Sequence, residues 1–78
     1  MISKVDPEFW RLFNQLPKEI QIAARKSFEK FLLNPDHPSL NFKSLKGDSD
    51  FFSARINLKY RVVGQRSGNI IVWFWIGS

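Results

Sequence analysis

The sequence contains no cysteine, and that absence excludes disulfide scaffolds and thiolate metal sites. It has a single histidine, too few imidazoles to build a zinc site. Long apolar runs are also missing. The longest, Ile70 to Ile76, is seven residues, where a bilayer-spanning helix needs about 20. The first residues, Met1 to Phe9, hold no apolar core of the kind a secretory signal requires. The expectation is a soluble, cytoplasmic protein with no metal, no cofactor and no membrane partner. Acidic residues are scarce as well: seven Asp and Glu stand against twelve Lys and Arg, for a formal net charge of +5. Such a balance suits nucleic acid, an acidic protein or an anionic membrane surface. The membrane is the weakest of these, because the cations do not gather on one amphipathic helix.

The 78 residues make one domain, 1–78. A chain of this size buries only about 60–65% of its unfolded surface, so its core must be dense. The composition, 44% hydrophobic and 15% aromatic, supplies that density.

Asp6-Pro7-Glu8 is a helix start: an acceptor side chain for free N–H groups, a proline suited to the first helical position, and an acid at the positive helix end. Phe9, Leu12, Phe13 and Leu16 recur at three and four, which predicts a short helix to about Gln15 or Leu16. Pro17 opens a second helix, with Ile20, Ala23, Ala24, Ser27, Phe28, Phe31 and Leu32 as its core stripe. Asn34-Pro35 ends it, since the residue before proline is pushed out of the helical region. Residues 35–39 then form a crossing loop, and Leu40, Phe42 and Leu45 are its anchors to the core. Gly47 to Asp50 is a turn cluster.

Three strands are predicted after it: Phe52–Leu58, Tyr60–Gln65 and Asn69–Ile76. Arg66 to Asn69 forms a tight hairpin turn between the last two. Alternation in the first places Phe52, Ala54, Ile56 and Leu58 on one side and Ser53, Arg55 and Asn57 on the other, facing solvent or a polyanion. The last strand is apolar on both faces and reads as central and covered. Ile2 to Val5 provides at most a brief edge strand. The fold class is α+β: an N-terminal helical hairpin packed on a curved antiparallel sheet of three to four strands.

An ordered set of features carries a family resemblance. A helical hairpin ends in Asn-Pro, Leu45-Lys46-Gly47 precedes the first long strand, Tyr60-Arg61-Val62 opens the next, and Trp73-Phe74-Trp75-Ile76-Gly77 closes the chain. Together they resemble the RelE/ParE superfamily, the toxins of type II toxin–antitoxin modules, over nearly the whole length. The resemblance implies a cognate antitoxin partner. It also implies one of two activities, since RelE-like members cut messenger RNA in the ribosomal A site and ParE-like members poison DNA gyrase.

Carried over by motif, Lys46 matches a basic position of RelE toxins, Arg55 the second of two strand lysines, and Arg61 the arginine of their Tyr-Arg pair. Ser53 stands where the first strand lysine would be. Relatives commonly follow the Ile-Gly-Ser segment with a histidine or basic residue and a tyrosine, and this sequence runs to Ser78. The expected activity is a RelE-like, ribosome-dependent endoribonuclease with Arg55 and Arg61 as catalytic cations. Lys43, Lys46, Lys59 and Arg66 are expected to bind nucleic acid. The alternative is a non-catalytic toxin-fold protein that binds DNA gyrase or only an antitoxin, and a third reading is an RNA-binding module without toxicity.

The chemistry of the residues is compatible. Cleaving RNA through its 2′-hydroxyl needs a proton acceptor, cations for the charge that builds on the phosphate, and a donor to the leaving oxygen. Guanidinium groups suit the cationic part, because a fork of donors fits phosphate oxygens. For the acid and base, His37, Asp48, Asp50 and Tyr60 are the candidates, and their spacing selects none. Each signal has a plainer counterpart. Arg55 and Arg61 also fit ion pairs with Asp48 or Asp50. His37 fits a local backbone hydrogen bond, and Trp73 and Trp75 fit the core. Lys18, Arg25, Lys26 and Lys30 fit a solvated helix face.

Overall fold

The computed structural model, which describes residues 1–47 and 49–78, begins with a strand: β1 (Ile2–Val5). The Asp6 N–H donates to the Trp73 carbonyl at 2.9 Å, so the chain stays tied to the sheet while Asp6 starts α1 (Pro7–Phe13). There the Asp6 side chain accepts from the Glu8 N–H at 2.8 Å, and Pro7 fills the first turn. Phe9 and Phe13, one turn apart, are the buried residues of α1 and stack at 6.2 Å. On its solvent side Arg11 hydrogen-bonds Glu8 and holds that carboxyl below the usual carboxylate range.

The helix ends at Phe13, three residues short of Leu16, where a turn takes over. α2 (Lys18–Leu33) follows Pro17 and stops at Asn34, whose extended backbone is what a residue before proline requires. Only Ala24 and Phe31 of α2 are buried, and Phe31 packs edge-on against Phe42 at 4.9 Å and Trp73 at 5.4 Å. Leu32 and Leu33, by contrast, point to solvent. A 3₁₀ turn (Pro38–Leu40) then buries Leu40. Phe42 packs on the core as expected, whereas Leu45 is exposed, because it sits in the turn beyond β2.

Among the described residues the sheet has five strands: β1, then β2 (Lys43–Ser44), β3 (Phe51–Arg55), β4 (Arg61–Ser67) and β5 (Ile70–Gly77). The order is β1-β5-β4-β3-β2, and β1 runs parallel to β5. The α+β expectation holds, but the sheet is mixed and larger than three or four antiparallel strands. Two short edges make the difference. β1 reaches the far side of β5 because the helical crossover separates it from the antiparallel run, and a parallel neighbour needs such a crossover. Its Ser3 hydroxyl accepts from the Trp73 indole N–H at 2.7 Å, which adds a side-chain tie.

Two strand assignments change for physical reasons. β3 ends at Arg55, not Leu58, because the Asn57 side chain accepts from the N–H groups of Lys59 and Tyr60, both at 2.9 Å, and folds the chain into a loop. Leu58 is therefore 88% exposed. In β5 the simple alternation breaks at a bulge opposite Val63 and Gly64: Val63 pairs with Trp75 and Gly64 with Trp73, leaving Phe74 extra. Ile71, Trp73 and Ile76 are thus the buried set. Gly64 is required here, since a Cβ would lie 2.8 Å from the Trp73 ring and 2.9 Å from the Val72 carbonyl. The β4–β5 turn is tight, with Gly68 at φ 58°.

Both helices lie on one face of the sheet, where Phe9, Phe13, Phe31 and Leu40 meet Ala54, Ile71, Trp73 and Ile76. The opposite, outer face carries no helix among the described residues. No helix among the described residues is long and apolar enough to cross a membrane.

Candidate functional site

Residues directly opposite one another on paired strands share a face, so the strand register writes the outer face out in rows. One row is Gly77, Arg61, Arg55, running from β5 across β4 to β3. The adjacent row is Trp75, Val63, Ser53, Lys43, which extends onto β2. A third holds Val72, Gln65 and Phe51. Phe74, the extra residue of the bulge, reaches the Phe51 ring at 5.9 Å, so the bulge turns both Phe74 and Trp75 outward.

The structure therefore brings together the two arginines singled out in the sequence. Like charges placed directly opposite each other repel, yet both are exposed and neither has a carboxylate partner among the described residues. Among the described residues the ion pair is that of Glu8 with Arg11. Asp50 is at the far end of β3, where its carbonyl accepts from the Arg66 N–H at 2.9 Å. Asp48 lies outside the described residues.

Ser53 is buried, 3% exposed, which corrects its reading as a solvent-facing residue. Ser53, Arg55 and Arg61, with Asn41, line a small polar dent. Asn41 enters it from a left-handed backbone, φ 45°, a conformation asparagine tolerates better than most residues. Lys43 is the register partner of Ser53. A cation thus stands across the strand from the position where the family pattern has lysine and this chain has serine.

The remaining predicted cations scatter. Lys59 is exposed in the β3–β4 loop, at the same end of the sheet as Arg55 and Arg61. Lys46 is in the β2–β3 turn, at the opposite end of β3. Arg66 is on the helix side, its guanidinium 5.4 Å from the Phe52 ring centre and its Nε donating to the Gly68 carbonyl at 3.1 Å; it covers the end of the core. His37 is engaged locally: its Nδ1 accepts from the Ser39 N–H at 3.2 Å and lies 2.9 Å from the Ser39 hydroxyl. Among the described residues no cluster of His, Asp or Glu gathers to hold a metal ion.

Sequence reasoning missed the outward turn of Trp75, because strict alternation assigns the tryptophans a common face. Its indole lies over Gly77, where an added Cβ would come within 2.7 Å of the ring. The small residue at position 77 was the available signal.

A second feature is on the helix side. The short α1 and the stand-off of α2 leave an apolar cavity of about 150 Å³, lined by Phe9, Trp10, Phe13, Phe28, Phe31 and Trp73 among others. Trp10 and Phe28 open it to solvent, and Arg25, stacked on Phe13 at 5.2 Å, makes part of its wall cationic.

The ParE-like toxin domain model matches residues 18–78. Similar solved structures include the RelB–RelE antitoxin–toxin complex of Methanococcus jannaschii, with TM-score 0.76 and 16% identity over 95% of this chain and 87% of that one. The intact RelBE toxin–antitoxin complex of E. coli gives TM-score 0.71 and 16% identity, covering 99% and 94% of the two chains. YafQ of E. coli gives 0.73 and 11%, covering 97% and 90%. At these identities the likeness is one of fold. No curated protein matches the chain in sequence.

Proposed function

This chain belongs to the ParE-like toxin domain family, the toxin side of a toxin–antitoxin system, and from that premise we propose that it cuts messenger RNA on the ribosome through the outer face of its sheet. One observation carries the reading: Arg55 and Arg61 stand directly opposite each other, exposed, with no carboxylate to neutralise them among the described residues. Two guanidinium forks so placed suit a phosphate whose charge rises during attack by the neighbouring 2′-hydroxyl. Lys43 adds a third charge from the next row. The site holds no preset imidazole base, since His37 caps its own loop. That arrangement suits a reaction in which the ribosome orients the substrate, because positioning alone lowers a barrier by several kcal/mol, about 7–11 in well-oriented systems.

Ribosomes carrying a defined message test this. Wild-type protein should produce cuts within the programmed codon, and Arg61→Ala or Arg55→Ala should not. Intact message with wild-type protein would sink the reading. The ParE-like character of the matching domain favours a second reading, binding to DNA gyrase. Gyrase-dependent DNA breaks with intact message would identify it.

The antitoxin docks on the helix side, at a cavity that also reaches Arg55 at the end of β3. The apolar cavity between the helices, with Arg25 on its wall, fits the apolar face of an acidic amphipathic helix. The exposed edges β1 and β2 offer strand addition as a further contact. Co-expression with the adjacent gene product should give one peak on size exclusion at micromolar concentration, and two separate peaks would count against the pairing.

A further inference from the structure

We propose that Trp75 is a base-stacking platform for single-stranded RNA, laying one base on its indole while Arg61 and Arg55 hold the adjoining phosphate. The inference rests on the RNA-directed reading of the outer face and adds to it the residue that engages the base.

Three observations place it. The β5 bulge takes Trp75 out of the core series and sets it opposite Val63 on the outer face. Its ring then lies over Gly77, the residue paired with Arg61, so indole, Arg61 and Arg55 follow one another across three adjacent strands. At about 4.8 Å per strand spacing, the backbones that carry the row, β5 to β3, lie roughly 10 Å apart. A flat apolar surface beside two cations is the combination that binds single strands, since a base supplies a π-face and its backbone a charge. Bulges often serve to re-aim one side chain in this way. The charge also selects the occupant: Lys43, Arg55 and Arg61 share this face, and among the described residues no ion pair offsets them. The neighbouring Phe51 and Phe74 continue an aromatic surface beyond Trp75.

The test compares a short single-stranded RNA with an abasic ribose–phosphate oligomer of equal length, by fluorescence anisotropy. Wild-type protein should prefer the base-bearing strand by roughly 5- to 150-fold, the range for one stacked base. Trp75→Leu should erase that preference and leave abasic binding unchanged. Arg61→Ala should weaken both strands alike, which separates failure of the stacking inference from failure of the phosphate site. A strand carrying 2-aminopurine should lose fluorescence on binding wild-type protein and keep it with Trp75→Leu. Gly77→Ala serves as a second variant, because it displaces the ring without deleting it and should reduce the preference in a chain of wild-type melting temperature. A preference that survives in a folded Trp75→Leu protein overturns the proposal. Loss of binding to polyglutamate, with RNA binding unchanged in the same variant, would also overturn it and assign the surface to an acidic protein.

Discussion

The two faces of one sheet are built from the same strands and answer to different demands. On the helix side Ile71, Trp73 and Ile76 are at most 4% exposed and meet the aromatic rings of α1 and α2. On the outer side, one residue along in each strand, lie Arg55, Arg61 and Trp75, exposed or half-buried, with two like charges held opposite each other. The helix side follows the rule that apolar area leaves water. The outer side departs from the rule that like charges avoid facing positions. A fold tolerates such a departure where a ligand supplies counter-charge, and among the described residues no carboxylate does so here. On the function proposed above, stability belongs to one face and chemistry to the other, and substitutions on each should separate the two.

The largest effect should come from the helix side. Trp73→Ala removes a buried ring, its edge-on contact with Phe31 and the hydrogen bond to Ser3. A cost of about 3–5 kcal/mol is expected, enough to lower the melting temperature by tens of degrees in a domain this small; a thermal melt reads it.

Arg61→Ala, on the outer side, should reverse the pattern. Cleavage of programmed message should fall by about 10²–10³, the loss expected for one donor to a developing anion, while stability stays within about 0.5 kcal/mol. Arg61→Lys should recover only part of the activity, since an ammonium lacks the two-pronged fork. A folded Arg61→Ala protein as active as wild type would break the comparison.

Gly64→Ala sharpens it further, because Gly64 faces the helix side within the strand that carries Arg61. The new methyl meets the Trp73 ring and a backbone carbonyl below 3 Å, and an overpacking cost of about 1–3 kcal/mol should appear in denaturant unfolding. Activity per folded molecule should be preserved.

The smallest effect concerns Glu8 on the solvent side of α1. Its carboxyl is held low by the hydrogen bonds from Arg11, so the stabilisation is present above the ordinary Glu value of about 4.3 and is lost as pH falls through the lowered folded value. Glu8→Gln should therefore melt slightly below wild type at neutral pH, and the gap should close in acid.

Much of this was legible in the residues. Asp6-Pro7-Glu8 announced a helix start and Asn34-Pro35 a helix stop because capping and the restriction before proline are local effects. A tight turn within Arg66 to Asn69 and a last strand over Asn69–Ile76 followed from equally short-range chemistry; the structure closes the turn at Gly68-Asn69 and runs the strand over Ile70–Gly77. Arg55 and Arg61 were visible as candidates, carried by the Tyr-Arg motif and strand alternation. Lys43, Lys59, Lys46 and Arg66 were visible too, but nothing local says that Lys43 shares a sheet face with the arginines while Arg66 covers Phe52 on the other side.

Composition, caps, turns and apolar periodicity, all set within a few residues, determined the α+β class, both helices and the three long strands. Tertiary structure alone decided the rest. The parallel pairing of β1 with β5 joins residues about 70 positions apart in sequence. The bulge that turns Trp75 outward depends on the fit of Trp73 against Gly64 across two strands. The facing of Arg55 and Arg61 depends on hairpin register, which the Asn57 loop sets. Periodicity reports what one segment prefers, whereas register and bulges are settled between segments, by packing that no single segment contains.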